Sequence, residues 1–226
     1  VNTDWRDTFF RTGLSQQHNL SLSSGGAQTK QFTSINYTKQ EGSLLASDLQ
    51  RFSLRSNVSG KSKNERFQYN TSTYVGFSKN NSQTEPDNDR SGFIFFNSIF
   101  NANNGLPYVN PADYSPELLT GISAFNAQNA PFVTLDNVLF NGNREDEIKI
   151  IVGGDASYKI NDNWTARYRI GADYTSESRL RYADPRSALA RVRASFIGPD
   201  AVEGFQTESF FRDFRFNSNL NLSYMN

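Results

Sequence analysis

The stretch from Asp87 to Gly92 resembles the first half of a calcium-binding loop. Asp87, Asp89 and Ser91 have the spacing of the first three ligands, and Gly92 stands where such a loop turns sharply. The twelfth position is Ser98, where these loops require a bidentate glutamate. A solvated turn is therefore the favoured interpretation, and Asp87, Asp89 and Ser91 are only a weak metal candidate.

Residues that could do covalent or acid–base chemistry are few. The chain has no cysteine, which excludes disulfides, thiolate metal sites and thiol catalysis. His18 is the single histidine, and its sequence neighbours supply neither a nucleophile nor an orienting acid. Glu145 and Glu147 form a carboxylate pair, but spacing alone gives no geometry for glycoside chemistry. The sequence predicts a protein that is not an enzyme and needs no cofactor.

Composition narrows the class of protein further. Lys+Arg and Asp+Glu both number 23, so the charge balance gives no reason to expect a nucleic-acid partner. No apolar run approaches the roughly 20 residues of a membrane-spanning helix. The mean hydropathy of −0.63 is still compatible with a membrane β-barrel, because barrel strands alternate apolar and polar residues.

Two neighbouring segments, 148–160 and 164–175, alternate apolar and polar side chains with the period of a β-strand. Only Asn161-Asp162-Asn163 separates them, which predicts a tight hairpin turn. The same alternation recurs in five more segments: 18–23, 30–38, 52–58, 67–77 and 214–224. The longer segments suit strands that are tilted across a membrane.

Aromatic residues lie at the ends of the apolar faces rather than in their middle. The pairs are Phe67 and Phe77, Trp164 and Tyr174, and Phe214 and Tyr224. A soluble sandwich would place its bulk mid-strand, whereas a membrane barrel places aromatics at both interfaces. This pattern favours lipid as the environment of the apolar face.

The connections alternate between short turns and two long loops, 79–147 and 176–209. Short turns on one side and long loops on the other are typical of outer-membrane barrels. We therefore predict an all-β fold, namely a partial antiparallel transmembrane β-barrel of about seven or more strands with long extracellular loops. Residues 1–226 would form this one domain.

The polar strand faces and the loop aromatics are the candidate functional surfaces. Charged side chains predicted to face the barrel lumen are Lys149, Asp155, Lys159, Arg167, Arg169 and Asp173. They either contact a plug and cargo or are ordinary hydrated wall residues, and the second interpretation is favoured. Loop aromatics that could stack on cargo are Phe95, Phe96, Tyr108 and Tyr114, although packing within the loop is the favoured role.

A long ordered series of residues in the first quarter of the chain resembles the SusC/RagA family of TonB-dependent outer-membrane transporters. It begins with Asn2-Thr3-Asp4-Trp5-Arg6-Asp7 and Phe10-Arg11-Thr12-Gly13, and it continues through His18-Asn19-Leu20-Ser21-Leu22-Ser23 and Gly25-Gly26. Thr29-Lys30, Phe32, Ser34 to Tyr37, Gln40-Glu41-Gly42 and Arg51-Phe52-Ser53-Leu54-Arg55 complete it.

The resemblance implies a segment near the start of a 22-stranded barrel, after the plug domain. It also implies an outer-membrane location in a Gram-negative, Bacteroidota-like cell and a SusD-like surface lipoprotein as partner. Oligosaccharides or peptides would be the cargo, with import driven by the TonB complex. Because a half barrel leaves two sheet edges in lipid, we expect the native polypeptide to be longer or to be completed by partner pieces.

Two other functions remain open from the residues. One is a non-energised porin-type barrel, which a plug domain upstream in the gene would exclude. The other is a soluble β-sandwich that binds glycans, which would show itself as a folded monomer without detergent.

Overall fold

The computed structural model describes residues 2–83, 97–119, 126–197 and 204–225. One antiparallel sheet holds seven strands in chain order, each paired with its sequence neighbours. The strands are β1 (Ser15–Gly25), β2 (Thr29–Glu41), β3 (Asp48–Lys61), β4 (Phe67–Ser82), β5 (Asn141–Lys159), β6 (Trp164–Ala183) and β7 (Phe205–Tyr224). This is the predicted all-β, partial-barrel architecture.

Within the described residues, four helices lie outside the sheet. They are α1 (Trp5–Phe9), α2 (Ser98–Asn104), α3 (Ala130–Phe140) and α4 (Ala188–Ile197). Two short 3-10 turns, Pro111–Asp113 and Pro116–Leu119, lie between α2 and α3. Within the described ranges, none of the helices has the length and apolar character needed to cross a membrane.

Local chemistry explains where these elements begin and turn. Oδ1 of Asn161 accepts hydrogen bonds from the amides of Asn163 and Trp164, so the predicted β5–β6 turn is an Asx-type turn. The side chains of Asp4 and Asn97 accept hydrogen bonds from the first-turn amides of α1 and α2. Each cap satisfies an amide that the helix itself leaves without a partner.

The predicted loop bounds, 79–147 and 176–209, are wrong by several residues at each end. β4 continues to Ser82 and β5 begins at Asn141, while β6 continues to Ala183 and β7 begins at Phe205. Many of the added pairs are polar, as in the Glu145–Arg179 ion pair at 3.0 Å. The apolar residues among them, such as Leu180 and Tyr182, are too few and too irregular to give the alternation by which periodicity detects a strand.

The hydrophobic core lies among the helices and not in the sheet. Its buried members are Trp5, Phe9, Ala102, Val109, Leu119, Phe132, Val133 and Ala188. We call α1 to α4 and the two 3-10 turns, together with this core, the helical cap. By contrast, Val152, Tyr168 and Ile170 in the sheet are 40–45% exposed. The strands therefore present their apolar side chains to the surroundings rather than to a closed core.

Candidate transport wall

Strand register divides the sheet into two faces of opposite character. Side chains of paired residues share a face, and successive residues alternate. Asp155 pairs with Arg169 and Ile151 pairs with Asp173, so the odd-numbered residues of β5 and β6 share one face. All six charges predicted to face the lumen lie on it: Lys149, Asp155, Lys159, Arg167, Arg169 and Asp173. We call this the polar face and its opposite the apolar face.

One carboxylate on the polar face organises two arginines. Nε and Nη2 of Arg167 donate to Oδ2 and Oδ1 of Asp155 at 2.8 and 2.9 Å. Nε of Arg169 reaches Oδ2 of Asp155 at 3.4 Å. Because both arginine side chains are more than half exposed, water screens the pairs and they stabilise the sheet little. Their effect is to hold a fixed pattern of charge on the wall.

The apolar face carries aromatic side chains along both of its margins. Near the short turns, Phe67 pairs with Tyr158 and Trp164 pairs with Tyr224, whose rings lie 5.0 Å apart. Near the long loops, the aromatic members are Tyr37, Phe52, Phe77, Tyr174 and Phe214. Ten strand positions tilted by about 40° span roughly 25 Å, which is the height of the apolar band of a membrane barrel.

Most of the residues between these margins are aliphatic or small, although Tyr168 and Phe216 also lie there. Ile35, Leu54 and Val75 lie side by side in the register of β2, β3 and β4. On β6 and β7, Leu220 is 73% exposed and pairs with Tyr168. A continuous apolar surface of this kind needs a non-aqueous contact. The sheet thus has the two-faced character of a wall between lipid and water.

A cross-strand tyrosine covers a glycine within this wall. Gly60 pairs with Tyr69, whose ring lies 2.5 Å from the position that a Cβ on Gly60 would occupy. The ring shields the glycine backbone on the apolar face and stands in for the missing side chain. The contact pins the register of β3 and β4 beside their short turn.

The helical cap joins parts of the chain that are distant in sequence. The Trp5 ring stacks on Phe9 at 5.7 Å and meets the Phe132 ring edge-on at 6.0 Å. Its Nε1 donates to the carbonyl of Leu106 at 3.0 Å. The segment before β1 and the β4–β5 connection therefore fold as one body.

Asp136 ties the second long connection to the same body. Its Oδ1 accepts a hydrogen bond from the hydroxyl of Tyr114 and its Oδ2 accepts one from the amide of Ala188, both at 2.7 Å. Burial raises the pKa of the Asp136 carboxyl, although both hydrogen bonds oppose the shift. Burial and the neighbouring carboxylate also raise the pKa of Tyr114.

The cap lies over the polar face at the long-loop end. Asn141 and Ala183 pair across β5 and β6 on that face and are 4% and 3% exposed. On the apolar face one position away, Tyr182 is 43% exposed. The cap therefore covers only the side of the sheet that carries the charges.

The other predicted site residues differ in their exposure or lie outside the described residues. Tyr108 is 66% exposed, whereas Tyr114 is partly buried, with its ring 6.1 Å from Phe132. Phe95 and Phe96 lie outside the described residues, as do Asp87, Asp89 and Ser91. Within the described part of the chain, no three His, Asp or Glu side chains are grouped to hold a metal ion.

Sequence reasoning missed Asp136 as the residue that organises the loops. It lies in the 79–147 segment, where no periodic pattern marked a helix, and its buried position depends on contacts with residues far along the chain. A single acidic residue between apolar neighbours in Leu135-Asp136-Asn137-Val138 was the available signal. An unpaired charge in such a run usually has a buried partner.

The fold and its two-faced sheet define a segment of a β-barrel wall. Comparison with known proteins shows which barrel proteins this segment resembles. No family model matches the chain. It is 40% identical over 58 residues to the TonB-dependent receptor P3 of Formosa agariphila, which is 26% of this chain and 6% of that protein. It is 30% identical over 70 residues to the TonB-dependent receptor SusC of Bacteroides thetaiotaomicron, covering 31% of this chain and 7% of that one.

Solved structures extend the likeness to nearly the whole segment. The RagAB peptide importer in its closed-closed state matches with a TM-score of 0.72 and 18% identity, over 99% of this chain and 23% of that one. Its open-open state matches with a TM-score of 0.70 over the same shares. The chain thus spans about a quarter of the solved chains and under a tenth of the curated relatives. The wall segment is SusC/RagA-like, as the opening residues predicted.

Proposed function

We propose that this chain is part of the wall of a TonB-dependent importer in the outer membrane. The observation that carries the proposal is the seven-stranded sheet whose apolar face bears aromatics at both margins while the opposite face bears ion-paired charges. Lipid satisfies the first face and a water-filled lumen the second. The likeness to TonB-dependent receptors supports energised import over passive diffusion.

The cargo is an oligosaccharide or a peptide, and a SusD-like lipoprotein meets the loop end. The RagAB peptide importer supports this assignment as the structural neighbour. The helical cap supports it as well, because it is ordered, lies at the long-loop end and exposes Tyr108 there. In this proposal the cap, the described parts of the two long connections and the polar face form the extracellular entrance.

Single cysteines introduced into this cysteine-free segment test the orientation of the wall. In the full-length protein, with any other cysteine replaced, Val152→Cys should react with a lipid-soluble maleimide and resist a charged one. Ser157→Cys, on the polar face of the same strand, should react with the charged reagent. Equal reaction of Val152→Cys with the charged reagent in intact outer membranes would refute the membrane assignment.

Energy coupling is tested separately. Uptake of cargo by cells that carry the full-length transporter should stop when the TonB gene is deleted. Uptake that continues without TonB would indicate the alternative, a passive porin-type barrel, while leaving the membrane assignment intact.

A further inference from the structure

The polar face of the first four strands carries cations and no acids. β1 to β4 are described throughout, and no Asp or Glu lies on their polar face. Its charged side chains are Lys30, Arg51, Arg55 and Lys61. Glu41 and Asp48 are the acids at the ends of these strands. They lie opposite each other in the register of β2 and β3, on the apolar face. Lys61 forms an ion pair with Glu65 of the adjoining turn at 2.5 Å. Among the described residues, Lys30, Arg51 and Arg55 form no such pair.

The other half of the wall is balanced. On the polar face of β5 to β7, Asp155 pairs with Arg167 and Arg169, Glu145 with Arg179, and Asp213 with Arg215. The register places both halves on the same face. A negatively charged molecule beside this face therefore experiences attraction concentrated on β1 to β4.

A hollow of about 530 Å³ lies at the edge of the cationic half, where β4 meets β5. Its lining includes Arg55, Asn57, Ser72 and Lys149, whose side chains suit an anion, together with Thr73, Tyr74 and Ile151. The guanidinium of Arg55 stands 6.0 Å from the centroid of the Tyr74 ring, which restricts it to one side of the hollow. Asn57 and Ser72 supply an amide and a hydroxyl from the neighbouring row of the register, and Lys149 closes the far side. A guanidinium beside small polar donors is the arrangement that proteins use for carboxylates.

Room for the Tyr74 ring comes from a glycine. A Cβ on Gly76 would lie 2.7 Å from the Tyr74 hydroxyl, so the ring leans over the space that Gly76 leaves. Within the described residues, neither Arg55 nor Lys149 forms an ion pair. Lys149 has Glu147 and Asp173 as neighbours on its face, which weakens its field. No acid lies beside Arg55 on the polar face of β3 or of the flanking strands β2 and β4.

We propose that this hollow binds a carboxylate group of the cargo, so that the transporter prefers acidic oligosaccharides or acidic peptides over neutral ones. The inference rests on the proposed function, since it takes the polar face to be the lumen. Arg55 supplies the charge-assisted hydrogen bonds, and Asn57 and Ser72 orient the carboxylate.

Binding to the purified full-length transporter with its lipoprotein partner tests the inference. Two matched pairs of probes distinguish the source of the carboxylate: pentaglutamate against pentaglutamine, and tetragalacturonate against galactotetraose. We expect at least one acidic probe to bind about tenfold tighter than its neutral counterpart at low salt, with the difference shrinking as salt rises. Arg55→Gln should remove that difference.

Arg215→Gln is the matched control, because Arg215 lies on the same face but is paired with Asp213 at 2.9 Å. It should leave the preference unchanged. Ser72→Asp, which adds an acid to the hollow, should weaken binding of the acidic probes and leave binding of the neutral ones unchanged. This variant replaces Arg55→Gln in the test if Arg55→Gln fails to fold.

Three outcomes would overturn the inference: no preference for either acidic probe, equal effects of Arg55→Gln and Arg215→Gln, or loss of neutral and acidic binding together. Loss of neutral and acidic binding together would mean that Arg55 holds a carboxylate of another part of the polypeptide. Arg55→Gln would release that carboxylate and disturb the whole lumen. Each result leaves the cysteine-labelling test untouched, so failure here is separable from failure of the membrane assignment.

Discussion

The carboxylate of Asp136 on α3 accepts a 2.7 Å hydrogen bond from the amide of Ala188 at the start of α4, 52 residues further along the chain. Two strands and their turn intervene between these residues. The contact therefore couples the two long connections of the wall. Ser187 adds a second bond, from the Ala190 amide to its hydroxyl at 3.1 Å, so the beginning of α4 is held from both sides.

Removing this carboxylate should separate the two connections. Asp136→Ala leaves the hydroxyl of Tyr114 and the amide of Ala188 buried without acceptors, which costs about 1–3 kcal/mol for each group. We expect faster proteolysis within 184–197 and within 97–119 while the barrel itself stays folded. Limited proteolysis, read beside the heat-modifiable barrel band on a gel, measures both. Asp113→Ala, on an exposed 3-10 turn, is the control and should change neither.

The same residue predicts how the cap responds to pH. Burial raises the pKa of Asp136 above its ordinary value of 3.8, so the folded cap favours the protonated acid. That contribution is complete below about pH 3.8 and is lost as pH rises through the raised pKa. Protection of the cap should therefore fall as pH rises above the ordinary pKa of an aspartate, and Asp136→Asn should flatten this dependence.

Asp184 works in the opposite direction and sets the lower limit of this experiment. Hydrogen bonds from Arg186 lower the pKa of Asp184 to about 2. Its contribution is present above the ordinary pKa and is lost only as pH falls toward 2. Measurements from pH 4 upward separate the contribution of Asp136 from that of Asp184. Protection of the cap that rises with pH in this range would contradict the raised pKa of Asp136.

Trp5 should be the largest single contributor to the cap. Trp5→Ala removes a ring that is 1% exposed together with its 3.0 Å bond to Leu106, for an expected loss of about 3–5 kcal/mol in the local stability of the cap. Hydrogen exchange of amides in α2 and α3 measures that loss. Trp164→Ala, at the margin of the apolar face, offers a comparison of equal size and should leave exchange in the cap unaltered.

Depth in the membrane should govern the cost of charge on the apolar face. Val152→Arg, midway between the aromatic margins, should destabilise the full barrel by about 2–4 kcal/mol, and Tyr158→Arg, at a margin, by about 0–1 kcal/mol. Ser157→Arg on the polar face should cost little. Urea unfolding in lipid vesicles ranks the three variants, and equal costs for Val152→Arg and Ser157→Arg would argue against a lipid-facing surface.

Alternation was sufficient to predict the wall but not the cap. Each of the seven alternating segments became a strand, because a two-faced environment imposes a period of two on the residues, as from Ile148 to Tyr158. Six polar-face residues were also assigned to one face from parity alone, and the register agrees. Whether that face is a lumen stays a proposal.

The rest depended on contacts that a local pattern does not encode. α3 is buried on several sides, since Phe132, Val133 and Thr134 are all buried. It therefore lacks the single apolar stripe that marks a surface helix. The strand extensions near the long loops carry too few apolar residues to show an alternating pattern. The sequence makes Tyr114 a candidate for cargo contact, whereas its hydroxyl bond to Asp136 and its ring contact with Phe132 give it a structural role.

The strict neighbour-to-neighbour pairing of the sheet has a consequence for the order of assembly. Every ladder can form as soon as its two adjacent strands are present, so strands can be added one after another, with the largest loss of chain entropy where β5 pairs with β4 across the long connection. The Trp5–Phe132 contact and the Asp136–Ala188 bond join segments that lie on either side of complete strands. The wall can thus form strand by strand from one edge. The helical cap is completed only after β6 has formed and α4, which follows it, has packed against α3.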